Sequence, residues 1–146
     1  MFAMTEPQLD LLDEELFIFL RTIKEDVARL FKNHGLRTDQ VFVLELVDRG
    51  LSHPKEIVEA LQWEPPLLSH YLSRLEKQGL ITRQPDAHDR RRTIIRLSDK
   101  GYDALQTARQ SWREYTRAAF AGMSPAEIEA LRRLTRRLAS ARENVL

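Results

Sequence analysis

The chain has 146 residues, 42% hydrophobic and 31% charged, a size and balance that fit one folded domain and exclude a disordered polar polymer. It has no cysteine, which excludes disulfides, thiolate metal sites, a cysteine nucleophile and thiol redox sensing. The net charge of +1 hides a division, since residues 1–64 stand at −6 and residues 65–146 at +7; such asymmetry predicts a basic surface for an anionic partner. No run approaches the roughly 20 apolar residues of a membrane span. MFAMTEPQLDLLDEEL is too acidic for a signal peptide, so the expected location is the cytoplasm.

Leu9, Leu12, Leu16, Leu20, Ile23, Val27 and Leu30 recur at spacings of three and four, which predicts one long amphipathic helix. Glu6, Asp10, Asp13, Glu14 and Glu15 come early and Lys24, Arg29 and Lys32 late, the order that the helix dipole favours, and Gly35 offers a left-handed stop. A lone helix of that length needs a partner for its apolar face.

Three shorter elements follow. TDQVFVLELVDRG is a helix with Thr38 as its cap and Gly50 as its stop, and HPKEIVEAL starts at Pro54, where a first helical turn tolerates proline. After the three-residue break QWE, the segment EPPLLSHYLSRLEKQG restarts at Pro65 and Pro66, aligns Leu68, Leu72 and Leu75 on one face, and ends at Gly79. Two short helices joined in this way form a helix-turn-helix.

LITRQ and TIIRL are short β-branched runs on either side of PDAHDRRR, where Pro85 and Asp86 turn the chain; they predict a β-hairpin, or wing. Ser98 caps another long helix with Tyr102, Leu105, Ala108, Trp112 and Tyr115, and Ser124, Pro125 and Glu127 open a last one. The expected fold class is mainly α with a small β-hairpin. The expected division is an N-terminal helix over residues 1–35, a winged helix-turn-helix over 36–100 and C-terminal helices over 101–146.

Away from its leucine face, the helix after the three-residue turn presents Leu67, Ser69, His70, Ser73, Arg74 and Lys77, mostly side chains that hydrogen-bond to base edges or phosphates in a major groove. An ordinary solvated helix face would carry a similar pattern. The hairpin that follows adds Arg90, Arg91 and Arg92, whose mutual repulsion is relieved by phosphates and by a narrow minor groove. Alone, a solvated hairpin tip explains these arginines equally well. Asp89 stands where it could hold the Arg91 guanidinium in a fixed fork.

The residues from Leu72 to Gly101, LSRLEKQGLITRQPDAHDRRRTIIRLSDKG, resemble the MarR-type (multiple antibiotic resistance regulator) winged-helix transcription regulators. The match includes the glycine after the recognition helix, the D-x-R tip at Asp89 and Arg91, and L-[ST]-x-x-G at Leu97, Ser98 and Gly101. The order of elements agrees over nearly the whole chain. The resemblance implies a ligand-responsive homodimeric repressor on an inverted-repeat operator in double-stranded DNA, with intertwined terminal helices. It also implies a small anionic or aromatic effector in a cleft, for which Phe17, Phe42, Trp63, Tyr71, Tyr102 and Trp112 are candidate lining residues, although core packing is the commoner use of such aromatics. The two prolines and two leucines of EPPLL depart from the family's Ser/Thr-rich helix start, so first-turn DNA contacts do not carry over.

PPLLSHYLSRLEKQGLI also resembles the recognition helix of ArsR-type metal sensors. Against that, His34, His53, His70 and His88 are scattered without a pair at metal-binding spacing, and a lone surface role fits each. No metal site or cofactor is expected. The absence of H-E-x-x-H, G-x-x-x-x-G-K-[ST], G-x-S-x-G and G-x-G-x-x-G argues against an enzyme. A dimeric helical interaction protein without DNA affinity is the remaining alternative.

Overall fold

The computed structural model describes residues 5–141. Six helices and one hairpin follow in the order α1 (Glu6–Lys32), α2 (Thr38–Asp48), α3 (Pro54–Leu61), α4 (Pro65–Lys77), β1 (Ile81–Pro85), β2 (Thr93–Leu97), α5 (Asp99–Ala119) and α6 (Pro125–Ala141). The chain divides into two compact units inside α5, after Ser111. Among the described residues, no helix is long and apolar enough to cross a membrane.

The core of the first unit is drawn from short elements. Val43 and Leu44 of α2, Ile57 of α3, Leu68, Leu72 and Leu75 of α4, Ile81 and Ile95 of the hairpin, and Leu105 and Ala108 of α5 are all buried in one cluster. The leucine face expected on α4 is therefore the face that packs. α1 joins this cluster only in its last turns, through buried Phe31 and half-buried Val27 and Leu30.

Sequence signals place the helix ends to within a residue or two. Thr38 is the first helical residue rather than the cap: Arg37 takes the extended cap conformation, and its main-chain N–H donates to Gln40 Oε1 at 3.0 Å. The reason lies in packing, since the Gln40 side chain is buried and its amide also donates to Gln78 Oε1 at 2.7 Å. Buried amides need such partners. Between α3 and α4, Gln62 adopts φ 53°, a left-handed geometry that usually selects glycine.

The strands pair antiparallel with Ile81 opposite Leu97 and Pro85 opposite Thr93. Beyond them, the L-S-x-x-G stretch fixes α5. Ser98 Oγ donates to the Gly79 carbonyl at 2.6 Å and accepts the Gly101 N–H at 2.9 Å. Gly101 is buried against Leu80 so closely that a Cβ there would collide with the Leu80 carbonyl oxygen. Further along α5, Arg109 pairs with Glu45 at 2.9 Å and Asp48 at 2.7 Å. The Arg109 bond, with help from Arg49, holds the Glu45 carboxyl below its ordinary range despite partial burial.

In the second unit, Trp112 and Tyr115 stack on α5 with ring centres 5.6 Å apart. Ser124 and Glu127 form the expected reciprocal cap: the Ser124 N–H and hydroxyl both donate to Glu127 Oε2 at 2.8 Å. Those bonds lower the Glu127 pKa. α6 buries none of its residues.

Candidate nucleic-acid interface

Helix α4 has two faces with different tasks. Leu68, Leu72 and Leu75 are buried, while Leu67, Ser69, His70, Arg74 and Lys77 are exposed. Pro65 and Pro66 occupy the first turn, where a missing N–H removes no helical hydrogen bond. Arg74 and Lys77 lie in the last turn, complementing the negative end of the helix dipole. Ser73 is only half-buried, and its Oγ accepts a bond from Arg83 Nη2 at 3.0 Å. Arg83 Nε also lies 3.1 Å from Glu76 Oε2, so this β1 side chain ties the wing to the exposed side of α4.

The wing tip comprises residues 86–92. Arg90, Arg91 and Arg92 are all exposed there. Asp89 does hold Arg91, but by its main chain: Asp89 Oδ1 accepts the Arg91 N–H at 3.0 Å. This corrects the expected carboxylate–guanidinium fork. An acceptor two residues before an amide closes an Asx turn more readily than it reaches along a flexible side chain. The turn is completed by Arg92 N–H on the Asp89 carbonyl and Asp86 N–H on the Arg92 carbonyl, both at 2.9 Å.

Asp86 is the buried residue of this loop, 7% exposed. Its Oδ1 accepts the His88 N–H at 2.8 Å, and its Oδ2 lies 3.7 Å from His53 Nε2. The His88 bond foremost, then the Asp89 amide and the nearby His53 and Arg92 charges, lower its pKa against the opposing effect of burial. His53 is consequently no lone surface histidine. Among the others, His34 Nε2 lies 2.7 Å from Ser111 Oγ, His70 stands edge-on to Tyr71, and His88 is exposed.

Sequence periodicity did not single out Arg83, Asp86 or His53 for the site. Arg83 was detectable in principle, because strand alternation puts it on the same side as Ile81. The meeting of His53 with Asp86, 33 positions later, has no local signal.

A cavity of about 890 Å³ opens between α1, the start of α2 and α4. Leu20, Ile23, Val27, Leu36 and Phe42 supply its apolar wall, and four cations, Lys24, Lys32, Arg37 and Arg74, line it with one carboxylate, Asp39. Of the six candidate aromatic residues, Phe42 alone lines this cavity. Trp63 and Tyr71 pack together with ring centres 5.2 Å apart. Tyr71 is buried, and its hydroxyl donates to Asp39 Oδ2 at 2.7 Å, which, with burial, raises the phenol pKa. Phe17 and Tyr102 are exposed, and Trp112 belongs to the second unit.

A family model described as the MarR family matches residues 34–92. The uncharacterized HTH-type transcriptional regulator YkoM of Bacillus subtilis is 29% identical over 112 residues, covering 76% of this chain and 73% of the relative. Among solved structures, a probable transcriptional regulator from Pseudomonas aeruginosa is 30% identical with a TM-score of 0.70, covering 87% of this chain and 98% of that one. A MarR family protein from Bacillus stearothermophilus shares the fold at 20% identity, with a TM-score of 0.85 over 97% and 99% of the two chains.

Proposed function

Because this chain belongs to the MarR family of DNA-binding transcription regulators, we propose that it acts as a homodimeric repressor reading an inverted-repeat operator in the cytoplasm, releasing it when a small anionic effector fills the cavity beside α4. The observation that carries this reading is the joining of two exposed polar surfaces in one packed unit. Arg83 ties the face bearing Ser69, His70, Arg74 and Lys77 to the wing that carries Arg90, Arg91 and Arg92.

In this reading α4 enters the major groove. Ser69, His70 and Arg74 meet base edges, and Lys77, nearer the helix exit, meets phosphate. Ser73 accepts from Arg83, which leaves its hydroxyl hydrogen free to donate to the groove. Arg91 enters the minor groove, flanked by Arg90 and Arg92 on phosphates. Asp89 acts through the turn that it closes.

Exposed Leu9, Leu12, Leu16, Phe17 and Leu20 on α1, and Leu134 and Leu138 on α6, support a second copy as the partner. An obligate interface of this kind buries about 2,000 Å² or more. The cavity suits an organic anion with an apolar body: its cations outnumber its one acid, and its apolar wall offers contact area. Its residue Arg74 also belongs to α4, so an effector there would act on the DNA-facing helix. The protein's task is binding, without making or breaking bonds.

Selection of duplexes from a randomised pool, paired with sedimentation, tests this reading. The expected result is a dimer that enriches an inverted repeat with half-sites about one helical turn apart. A monomer, or enrichment of no sequence, would refute it. Equal effects of Arg74→Ala and Lys77→Ala on the selected and random duplexes would remove their separate roles.

A further inference from the structure

We infer that His53 and Asp86 form a clasp that sets the direction of the wing relative to the helix-turn-helix, making both of them positioning residues for Arg91; this rests on the DNA-binding reading above. A two-stranded hairpin by itself is marginally stable and twists readily. An arginine at its tip reaches a chosen groove position reproducibly only when something outside the hairpin fixes its base.

The His53 ring does this from the start of α3. Its Nδ1 lies 3.1 Å from the Thr93 carbonyl, where β2 begins, and its Nε2 lies 3.7 Å from Asp86 Oδ2, where β1 has just ended. One ring thus spans the mouth of the wing loop. Both neighbours are acceptors: the Thr93 carbonyl stands at hydrogen-bond distance from Nδ1, and the Asp86 carboxylate stands beyond it from Nε2, at ion-pair range. The ring is itself held: the His53 N–H donates to Glu56 Oε2 at 3.1 Å, and the carbonyl of Ser52 accepts the Ile95 N–H at 2.7 Å.

Asp86 carries the constraint into the tip. Its carboxylate takes the His88 amide and its own N–H closes onto the Arg92 carbonyl, so the clasp brackets the segment containing Arg91. The side chains of His53 and Asp86 are 16% and 9% exposed. That shielding limits the access of water to the contact.

A double-mutant cycle on the duplex selected by the wild-type protein tests the clasp, with thermal unfolding followed in parallel. Arg91→Ala should weaken the wild type roughly 5- to 150-fold, but by less than about 3-fold once Asp86→Ala or His53→Ala has released the wing. A merely structural clasp would lower the unfolding temperature and leave the Arg91 effect unchanged. That result overturns the inference. Should the alanine variants fail to fold, Asp86→Asn and His53→Asn carry the same cycle, the latter keeping a capping side chain on α3. If the wild type selects no duplex at all, the DNA-binding reading fails together with the clasp; binding with additive effects defeats the clasp alone.

Discussion

The winged-helix region and the outer helices treat their apolar residues in opposite ways. Between Phe31 and Ala108, residues from five helices and both strands close into one cluster. From Glu6 to Thr22, by contrast, α1 is exposed throughout, with Leu11, Phe17 and Leu20 each more than 60% open, and α6 buries nothing. Both regions have helical apolar periodicity. The difference teaches that periodicity specifies a face to be covered but not what covers it: the first region finds its cover within its own unit, and for the second the proposed cover is a second copy.

The largest effect is expected where that external cover is removed. Leu12→Lys combined with Leu16→Lys should weaken self-association by about 4 kcal/mol, near a thousandfold, while the winged region keeps its helical signal. Sedimentation over a concentration series measures this. An unchanged dimer would show that the exposed stripe is not the interface.

The internally covered region has its own sensitive point. Gly101→Ala should cost about 3 kcal/mol, because the clash is with main chain that cannot rotate away. Denaturant unfolding reads it directly, and a neutral result would mean that α5 shifts freely.

A smaller effect concerns the link from α5 to α2. The folded-state pKa of Glu45 is depressed, so its contribution is present above the ordinary carboxylate range and is lost as pH falls through the lowered value. With both partners 25% exposed, that contribution is about 1 kcal/mol or less. Thermal unfolding against pH should show Glu45→Gln losing part of the acid-side slope.

The smallest effect is at the wing tip. Asparagine keeps the acceptor that closes the turn onto Arg91, while removing a negative charge near phosphates. Asp89→Asn should therefore tighten DNA binding by about twofold. Weaker binding would restore a direct role for the carboxylate on the guanidinium.

Local chemistry was legible where its partners are near in sequence. Pro65 and Pro66 start α4, Gly79 ends its turn, and Ser124 with Glu127 caps α6, all as the residue types imply. The aromatics were different. Phe42, Trp63, Tyr71, Tyr102 and Trp112 share a residue class, yet the fold separates them into a cavity wall, a packed pair and exposed positions. Side-chain type does not encode which distant element will lie opposite.

By itself the sequence determined the order and kind of the elements, the leucine face of α4 and the exposed arginine run, because capping, turn geometry and periodicity act within a few residues. Only the tertiary structure decided that Arg83 would brace Ser73 and Glu76, that Asp89 would bind the backbone of Arg91, and that His53 would meet Asp86. Those pairings depend on side-chain rotamers and on the angle at which the hairpin lies against α3 and α4, and such angles are fixed by the packing of the whole core.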